Sequence, residues 1–483
     1  SSSKDAAIPG YGNEHCSYSS RRGTGTFCKC KIWCTSEKCR GSINKKIVKM
    51  KPVPEQNDRC GFPSKEVIER NSIMNTLTNV KKSQGIMMFI ILLLSYIVFA
   101  SNWVAGSNLS EKIVYHYFNG EQVSPMVSEV INYTITIARI FANLVAAYIL
   151  LKLNPRKASI VALVLLCFSF VAVFATNYWL YTIARMIMAL GGSMIMVYMN
   201  TVVARFIAND EKIIASALVT ASYNIGAGLV AIIFFLYKDV VISDWQHTMY
   251  VFSLFSILLL VLWTMLAKDF SPNDENTHHQ EEYKYKDALT DKFVYCFSMG
   301  FGGFLFLYVM SLVSIPVKLV AHVNNGFNAE FMILAITMGG IVGTLFSILI
   351  GKVPFERKPF LLVHGIMMII AMALGLYMAY INPGLAYFLF AIGGFVMFSQ
   401  YSVYLNFPHE LPNMNPRKLT IMFGVFWALG YTIYTVLNFI WSIILSYYGW
   451  DLSMVFYIVC SCIYIIFVFT FPALKVQTKR AIS

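Results

Sequence analysis

Arg139 lies between Ala138 and Ile140, inside an apolar run that extends from about Met126 to Leu151. A guanidinium keeps its charge at any physiological pH, and its planar fork fits a carboxylate or a phosphate. Its neighbours at helical spacing are Asn132, Thr136, Asn143 and Ala146. Steps of 4-3-4-3 put these five residues on one stripe of a helix, polar and small where the rest is oily. If the run crosses a bilayer, Arg139 is about 18–20 Å of helix from either end, too deep for its side chain to reach water. Leaving it in lipid costs between about 3 and 17 kcal/mol, so it must face protein or a wet cavity. Two roles follow. Arg139 either stiffens the bundle through carbonyls or a buried partner, or it binds a negatively charged solute. The second is the expectation, because between residues 86 and 472 acidic side chains fall only in loops or near segment ends, among them Glu111, Glu121, Glu129, Glu330, Glu356, Glu410 and Asp451.

Other polar groups in apolar surroundings extend the candidate site. Arg185 is about 10 Å of helix from the nearer end of its segment, within near reach of water, and is a candidate for solute binding or gating. Lys318 lies closer still to an end and is expected to snorkel. Trp427, Tyr431, Tyr434, Asn438 and Trp441 repeat 4-3-4-3, and Gln400, Tyr401 and Tyr404 follow the Gly393-Gly394 pair. Such aromatic stripes often serve packing, but phenols and amides at depth also suit a wet surface. The expected solute-binding set is Arg139, Asn143, Thr136, Arg185, Asn224, Gln400, Tyr404, Tyr431 and Tyr434. No catalytic group or metal site is expected in the bundle, since His116, His247, His322, His364 and His409 are scattered. No cofactor is expected either: a G-x-x-x-x-G-K-[ST] phosphate loop is absent from the sequence.

The elements that must position these groups are membrane helices. Only 13% of the residues are charged, about half the share of a soluble domain, and mean hydropathy is +0.60. Twelve apolar runs can be drawn, at 86–107, 126–151, 158–175, 178–206, 213–237, 248–267, 292–319, 328–350, 360–380, 384–406, 417–446 and 451–472. Each approaches the ~20 residues that cross ~30 Å of hydrocarbon. The net charge of +13 sits in an N-terminal tail and in short loops, which fits anionic lipid and argues against nucleic acid. Every second loop is basic: Lys152, Arg156 and Lys157; Arg205 and Lys212; Lys352, Arg357 and Lys358; Arg417 and Lys418. This predicts an integral membrane protein, placed in the plasma membrane, with both termini cytoplasmic.

The expected organisation is a polar, disordered tail (1–82), a six-helix bundle (83–268), a cytoplasmic linker (269–291), a second six-helix bundle (292–475) and a short C-terminal tail (476–483). The tail has no apolar segment of a signal peptide before Ile86, and function is not expected to depend on it. Six of the ten cysteines lie there: Cys16, Cys28, Cys30, Cys34, Cys39 and Cys60. They lack paired C-x-x-C spacing, so a zinc site is not expected.

The two bundles repeat each other. At an offset of 201 residues, Thr136, Ile140, Leu144 and Arg156-Lys157 meet Thr337, Ile341, Leu345 and Arg357-Lys358. At 202, Ala189, Gly191 and Gly192 meet Ala391, Gly393 and Gly394; at 204, Gly226 meets Gly430. Twelve segments in two related halves resemble the major facilitator superfamily of secondary transporters, over about residues 83–475. LLKLNPRKA, after the second segment, sits where that family carries G-x-x-x-D-R-x-G-R-R. Arg156 and Lys157 fit its basic end, Lys152 stands near its arginine, Ala147 replaces the first glycine, and Leu151 replaces the acidic residue. Arg185-Met-Ile-Met-Ala-Leu-Gly191-Gly192 is similar to the family's R-x-x-x-G-x-G pattern, with Ala189 for its first glycine.

The resemblance implies alternating access by two rocking halves, with helices 1, 4, 7 and 10 around a central cavity and helices 3, 6, 9 and 12 facing lipid. Lys152, Arg156, Lys157, Gly191, Gly192, Arg357, Lys358, Gly393 and Gly394 become the expected gating and sliding positions. The partners expected are a small-molecule substrate and the bilayer, and the chain is expected to act as a monomer. The solute is expected to be a small anion such as a sugar phosphate, an organic acid or an inorganic anion. An exporter or porter of a neutral or lipophilic solute is the alternative, and a receptor or embedded enzyme the more distant one.

Overall fold

The computed structural model describes residues 82–121, 123–207, 212–270, 283, 285–323, 325–350, 353, 355–412, 414 and 416–473, with three short strands nearer the N-terminus. Those strands, Ala6–Ala7, His15–Ser17 and Lys29–Lys31, form a small antiparallel sheet within a separate unit, residues 1–66. The other residues of the expected tail up to 81, among them Cys28, Cys34, Cys39 and Cys60, lie outside the described residues, as does the C-terminal tail.

Among its described residues the second unit is all helical, apart from turns and connections. Eleven of its described helices are long and apolar enough to cross a membrane, and the shorter apolar helix Val130–Ala146 makes a twelfth span. We label the spans α1 (Lys82–Asn108), α2 (130–153), α3 (155–166, continued by Phe168–Val173), α4 (Tyr178–Phe206), α5 (Lys212–Leu236) and α6 (Trp245–Leu266). The second half holds α7 (Lys292–Leu312), α8 (Ala329–Ile350), α9 (Arg357–Ala379), α10 (Pro383–Asn406), α11 (Pro416–Tyr448) and α12 (Trp450–Ser461, continued by Ile463–Phe469). α1 begins and α12 ends on one face, here the terminal face; the α1–α2, α7–α8 and α11–α12 connections lie on the far face.

Two local breaks differ from the expected boundaries. The loop expected between α2 and α3 is a single sharp turn at Asn154, with φ 61° and ψ 157°. Pro155 disfavours a right-handed helical conformation at the preceding residue, and asparagine tolerates positive φ better than most residues. The seventh span stops at Leu312 and resumes as a short helix, Ile315–Val320. Pro316 cannot donate to the carbonyl four residues back and its ring crowds it, so the ladder breaks and Ser314 is left in the gap.

Burial follows the lipid. α7 is buried along almost its whole length. α6 and α12 expose Val251, Leu254, Phe255 and Leu258, and Val455, Val459 and Ile466. Such a surface would be an aggregation hazard in water, but in hydrocarbon it is the matched one. Small residues set the spacing inside each half. A Cβ on Gly191 would overlap the Ala162 carbonyl of α3, and one on Gly394 the Ile336 carbonyl of α8. These are backbone-to-backbone approaches that only glycine allows.

The repeated basic pairs play matching parts. Arg156 Nη2 donates to the Thr264 carbonyl at 2.9 Å, at the end of α6. Lys358 Nζ donates to the Phe471 carbonyl at 2.9 Å, just past α12. Each pair therefore ties a terminal-face turn to the last helix of its own half. Arg357 Nε also pairs with Glu410, at 3.0 and 3.2 Å. Lys152 is exposed and lies 4.7 Å from the Tyr148 ring centroid.

Candidate functional site

The stripe on α2 points inward. Asn132, Thr136, Arg139, Asn143 and Ala146 are all buried, while Ile137, Phe141, Leu144, Val145 and Tyr148 on the other side are exposed to lipid. The 3.6-residue period alone produces this division. Arg139 is 2% exposed and sits in a cage of aromatic rings. Its Cζ lies 4.4 Å from the ring centroid of Tyr431 on α11, and 5.4, 5.5 and 5.9 Å from those of Trp103, Phe99 and Tyr96 on α1. Nη2 donates to the Tyr96 hydroxyl at 2.8 Å; Nε and Nη1 meet no acceptor among the described residues. Ring faces carry negative charge density and partly compensate the cation, but they leave its remaining N–H groups unsatisfied.

Beside this cage lies a central cavity between the halves. Tyr96, Trp103, Met196, Val219, Thr220 and Tyr223 line it from the first half, and Leu305, Tyr308, Val309, Tyr401, Trp427 and Tyr431 from the second. It holds about 20 Å³, room for roughly one water. The site is thus contracted, and a larger solute requires the halves to part. The hydroxyls of Tyr223 and Tyr308 are buried without a partner, so the lining carries polar groups free to receive one. None of the lining side chains is acidic.

The structure distributes the expected site residues unevenly. Tyr431 lines the cavity, and Arg139 lies behind it, its guanidinium against the Tyr431 ring. Thr136 and Asn224 join the halves: Thr435 Oγ1 on α11 bonds Thr136 Oγ1 at 2.8 Å, and Asn224 Nδ2 bonds the Thr337 carbonyl on α8 at 2.7 Å. Arg185 lies in a slot against α1, where it donates to the carbonyls of Asn102 and Trp103 at 3.1 and 3.2 Å. A Cβ on Gly106 would overlap its guanidinium. Gln400 faces away from the cavity, accepting from Tyr464 at 2.8 Å and packed on Met368. Tyr404 donates to the Phe297 carbonyl, and Tyr434 lies 4.0 Å from the Met310 sulfur. Lys318, expected to snorkel, reaches Glu111 across the halves at 3.5 Å.

Sequence reasoning left out Tyr96, Trp103, Tyr223 and Tyr308. Tyr96 and Trp103 are seven residues apart on α1, two turns of one helix face; that spacing was the available signal.

Cross-half contacts gather from mid-depth to the far face. Besides those named, Tyr133 bonds Ser442, and Phe235 and Phe331 pack with centroids 4.5 Å apart. α2 packs on α11 and α5 on α8, so each half lends the same pair of helices to the seam. The family model of the Major Facilitator Superfamily matches residues 88–435. The chain belongs to that superfamily.

It is a transporter of this family, an integral membrane protein of twelve spans. An uncharacterised protein of Mesomycoplasma hyopneumoniae (strain J) is 23% identical over 428 residues, 80% of this chain and 88% of that protein. A major facilitator superfamily transporter of Mycoplasma genitalium is 26% identical over 306 residues, 56% of this chain and 53% of the other. Among solved structures, the xylose transporter XylE from E. coli, in a partially occluded inward open conformation, superposes with a TM-score of 0.62 at 14% identity. The match covers 82% of this chain and 100% of that one. A D-xylose-proton symporter gives 0.61 at 14% identity, over 81% and 98%. At such identity these two share the fold.

Proposed function

We propose that the chain moves a small anionic solute across the plasma membrane by alternating access, with Arg139 as its charge-recognising group. The observation that carries this reading is the state of Arg139: fully enclosed, held by one phenol, and left with two of its nitrogens, Nε and Nη1, without an acceptor. A carboxylate, phosphate or inorganic oxyanion supplies the missing acceptors and the missing charge together. The nearest acidic residue in sequence, Glu129, stands just ahead of α2, ten positions and about 15 Å of helix away. A lipophilic-cation exporter would want an acidic lining, and the cavity has none.

One observation favours a second reading. Seven aromatic residues line the cavity, two with unpartnered hydroxyls, and such a surface also suits the faces and hydroxyls of a neutral sugar. Reconstituted protein decides between them. Labelled sugar phosphates, organic acids, inorganic anions and neutral sugars are offered to proteoliposomes under identical gradients. Saturable uptake of an anion, competed by other anions and not by sugars, is the expected result. Saturable uptake of neutral sugars alone overturns the anion reading.

The basic loops support a cytoplasmic terminal face and an outward far face. The far-face seam is then an outer gate, closed here, and one protomer contains the whole site.

A further inference from the structure

Glu129 directly precedes α2 at the far face and is 3% exposed. Its Oε2 accepts from Asn132 Nδ2 at 2.8 Å and from Ser314 Oγ at 2.9 Å. The first donor belongs to its own half and the second to the other half, so one carboxylate oxygen clasps the two together. Asn132 Oδ1 in turn accepts from Ser107 Oγ at 2.7 Å and from Trp103 Nε1 at 3.3 Å. Trp103 lines the central cavity, and its ring forms one wall of the Arg139 cage. A continuous polar path therefore runs from the cavity through Trp103, Asn132 and Glu129 to Ser314. Lys318, on the short helix that follows Ser314, pairs with Glu111 of the first half at a more exposed rim.

We propose that this path is an outer latch sensed from the solute site. A solute seated against Arg139 and Trp103 draws the indole N–H off Asn132, the clasp of Glu129 on Ser314 weakens, and the outer gate opens. Three features favour this. The Trp103–Asn132 bond, at 3.3 Å, lies beyond the usual 2.7–3.2 Å range and is the weakest link on the cavity side of Asn132, whose Nδ2 also lies 3.5 Å from Ser314 Oγ across the seam. Hydrogen bonds linked in series within a dry interior polarise one another, so loss of one weakens the next. A ligand shifts a conformational equilibrium only through contacts that differ between the two states, and the path gives the cavity such a contact with the gate. Ser314 is free to take part because Pro316 ends the helix ladder beside it.

The proposal rests on the central cavity being the solute site, so its test uses no solute and is separate from the uptake comparison. A cysteine replaces Thr435, which lies in the seam on α11. A membrane-impermeant maleimide is added outside washed, right-side-out vesicles, with the chain lacking Thr435→Cys as background. Ser314→Ala and Glu129→Gln are expected to raise the labelling rate about 10-fold, the loss of a charge-assisted bond. Trp103→Phe keeps the ring but loses the N–H, and is expected to raise it about 3-fold. Because the links act in series, Trp103→Phe with Ser314→Ala should label no faster than Ser314→Ala alone. Asn132→Ala breaks the same path one link later and must also raise labelling, which keeps the test open if Trp103→Phe folds poorly. Wild-type labelling in Trp103→Phe or Asn132→Ala protein that inserts normally overturns the proposal. So does a double variant whose rate is the product of the two single effects.

Discussion

Arg139→Gln removes the charge and keeps a polar but shorter side chain. Two effects compete. The variant loses the 2.8 Å bond to Tyr96 and the four ring contacts. Cation–π contacts contribute about 0.5–2 kcal/mol, and a hydrogen bond about 1 kcal/mol. Against this, a buried guanidinium with two unpartnered nitrogens no longer has to be kept from water, a relief of at least similar size. Stability should therefore change little and membrane yield should stay near normal. Solute recognition should change greatly. Two charge-assisted bonds to an anion, net of desolvation, contribute about 2–4 kcal/mol, or roughly 30- to 1000-fold in affinity at 1.4 kcal/mol per decade. Arg139→Lys keeps the charge but loses the fork, so it should fall between wild type and Gln. The assay is the concentration for half-maximal anion uptake in proteoliposomes, with detergent-extracted monodispersity as the folding control. A well-folded Arg139→Gln protein with unchanged half-saturation refutes the reasoning, and the aromatic lining becomes the recognition surface to test.

Four further outcomes are expected. Gly394→Ala pushes a methyl group onto the Ile336 carbonyl, which as backbone cannot rotate aside, and should cost about 1–3 kcal/mol, read as a lower midpoint of thermal inactivation; an unchanged midpoint counts against the close α8–α10 contact. Gly106→Ala should displace Arg185 from the Asn102 and Trp103 carbonyls with a loss on the order of 1–3 kcal/mol, and adding Arg185→Lys should lower thermal stability little further; full additivity would disconnect the two sites. A cysteine at Asn119, on the α1–α2 connection, should react with impermeant reagent from outside, and one at Lys157 only after permeabilisation; the reverse pattern inverts the orientation. Removing residues 1–73 should leave transport intact, since the bundle begins later and residues 1–66 form a separate unit; normal insertion without uptake would give the tail a function.

Much of this architecture is legible in the sequence. The twelve runs are visible because hydrocarbon demands some 20 apolar residues per crossing, and the direction of α2 because one polar stripe interrupts it. α1 and α7 offer no such guide. The polar residues of α1, Ser95, Ser101, Asn102 and Ser107, share no single stripe and α7 is apolar nearly throughout, so the seven-residue spacing of Tyr96 and Trp103 is the only hint, and packing decides that these two and Tyr308 face the centre. Gln400 and Tyr404 show the converse. Their polarity suggested a wet surface, yet each meets a partner within the second half.

The sequence by itself determined the membrane class, the two related halves, the inward stripe and the burial of Arg139. These follow from composition and helical period, which act through neighbours a few residues apart. Only the tertiary structure decided what those residues meet. Arg139 and Tyr431 are separated by most of the chain and touch because α2 and α11 form the seam. Glu129 reads as a solvated helix-end residue and is instead enclosed, because Ser314 of the other half closes over it. Which distant side chain lands opposite a given one depends on how twelve helices pack, and local spacing carries no information about that.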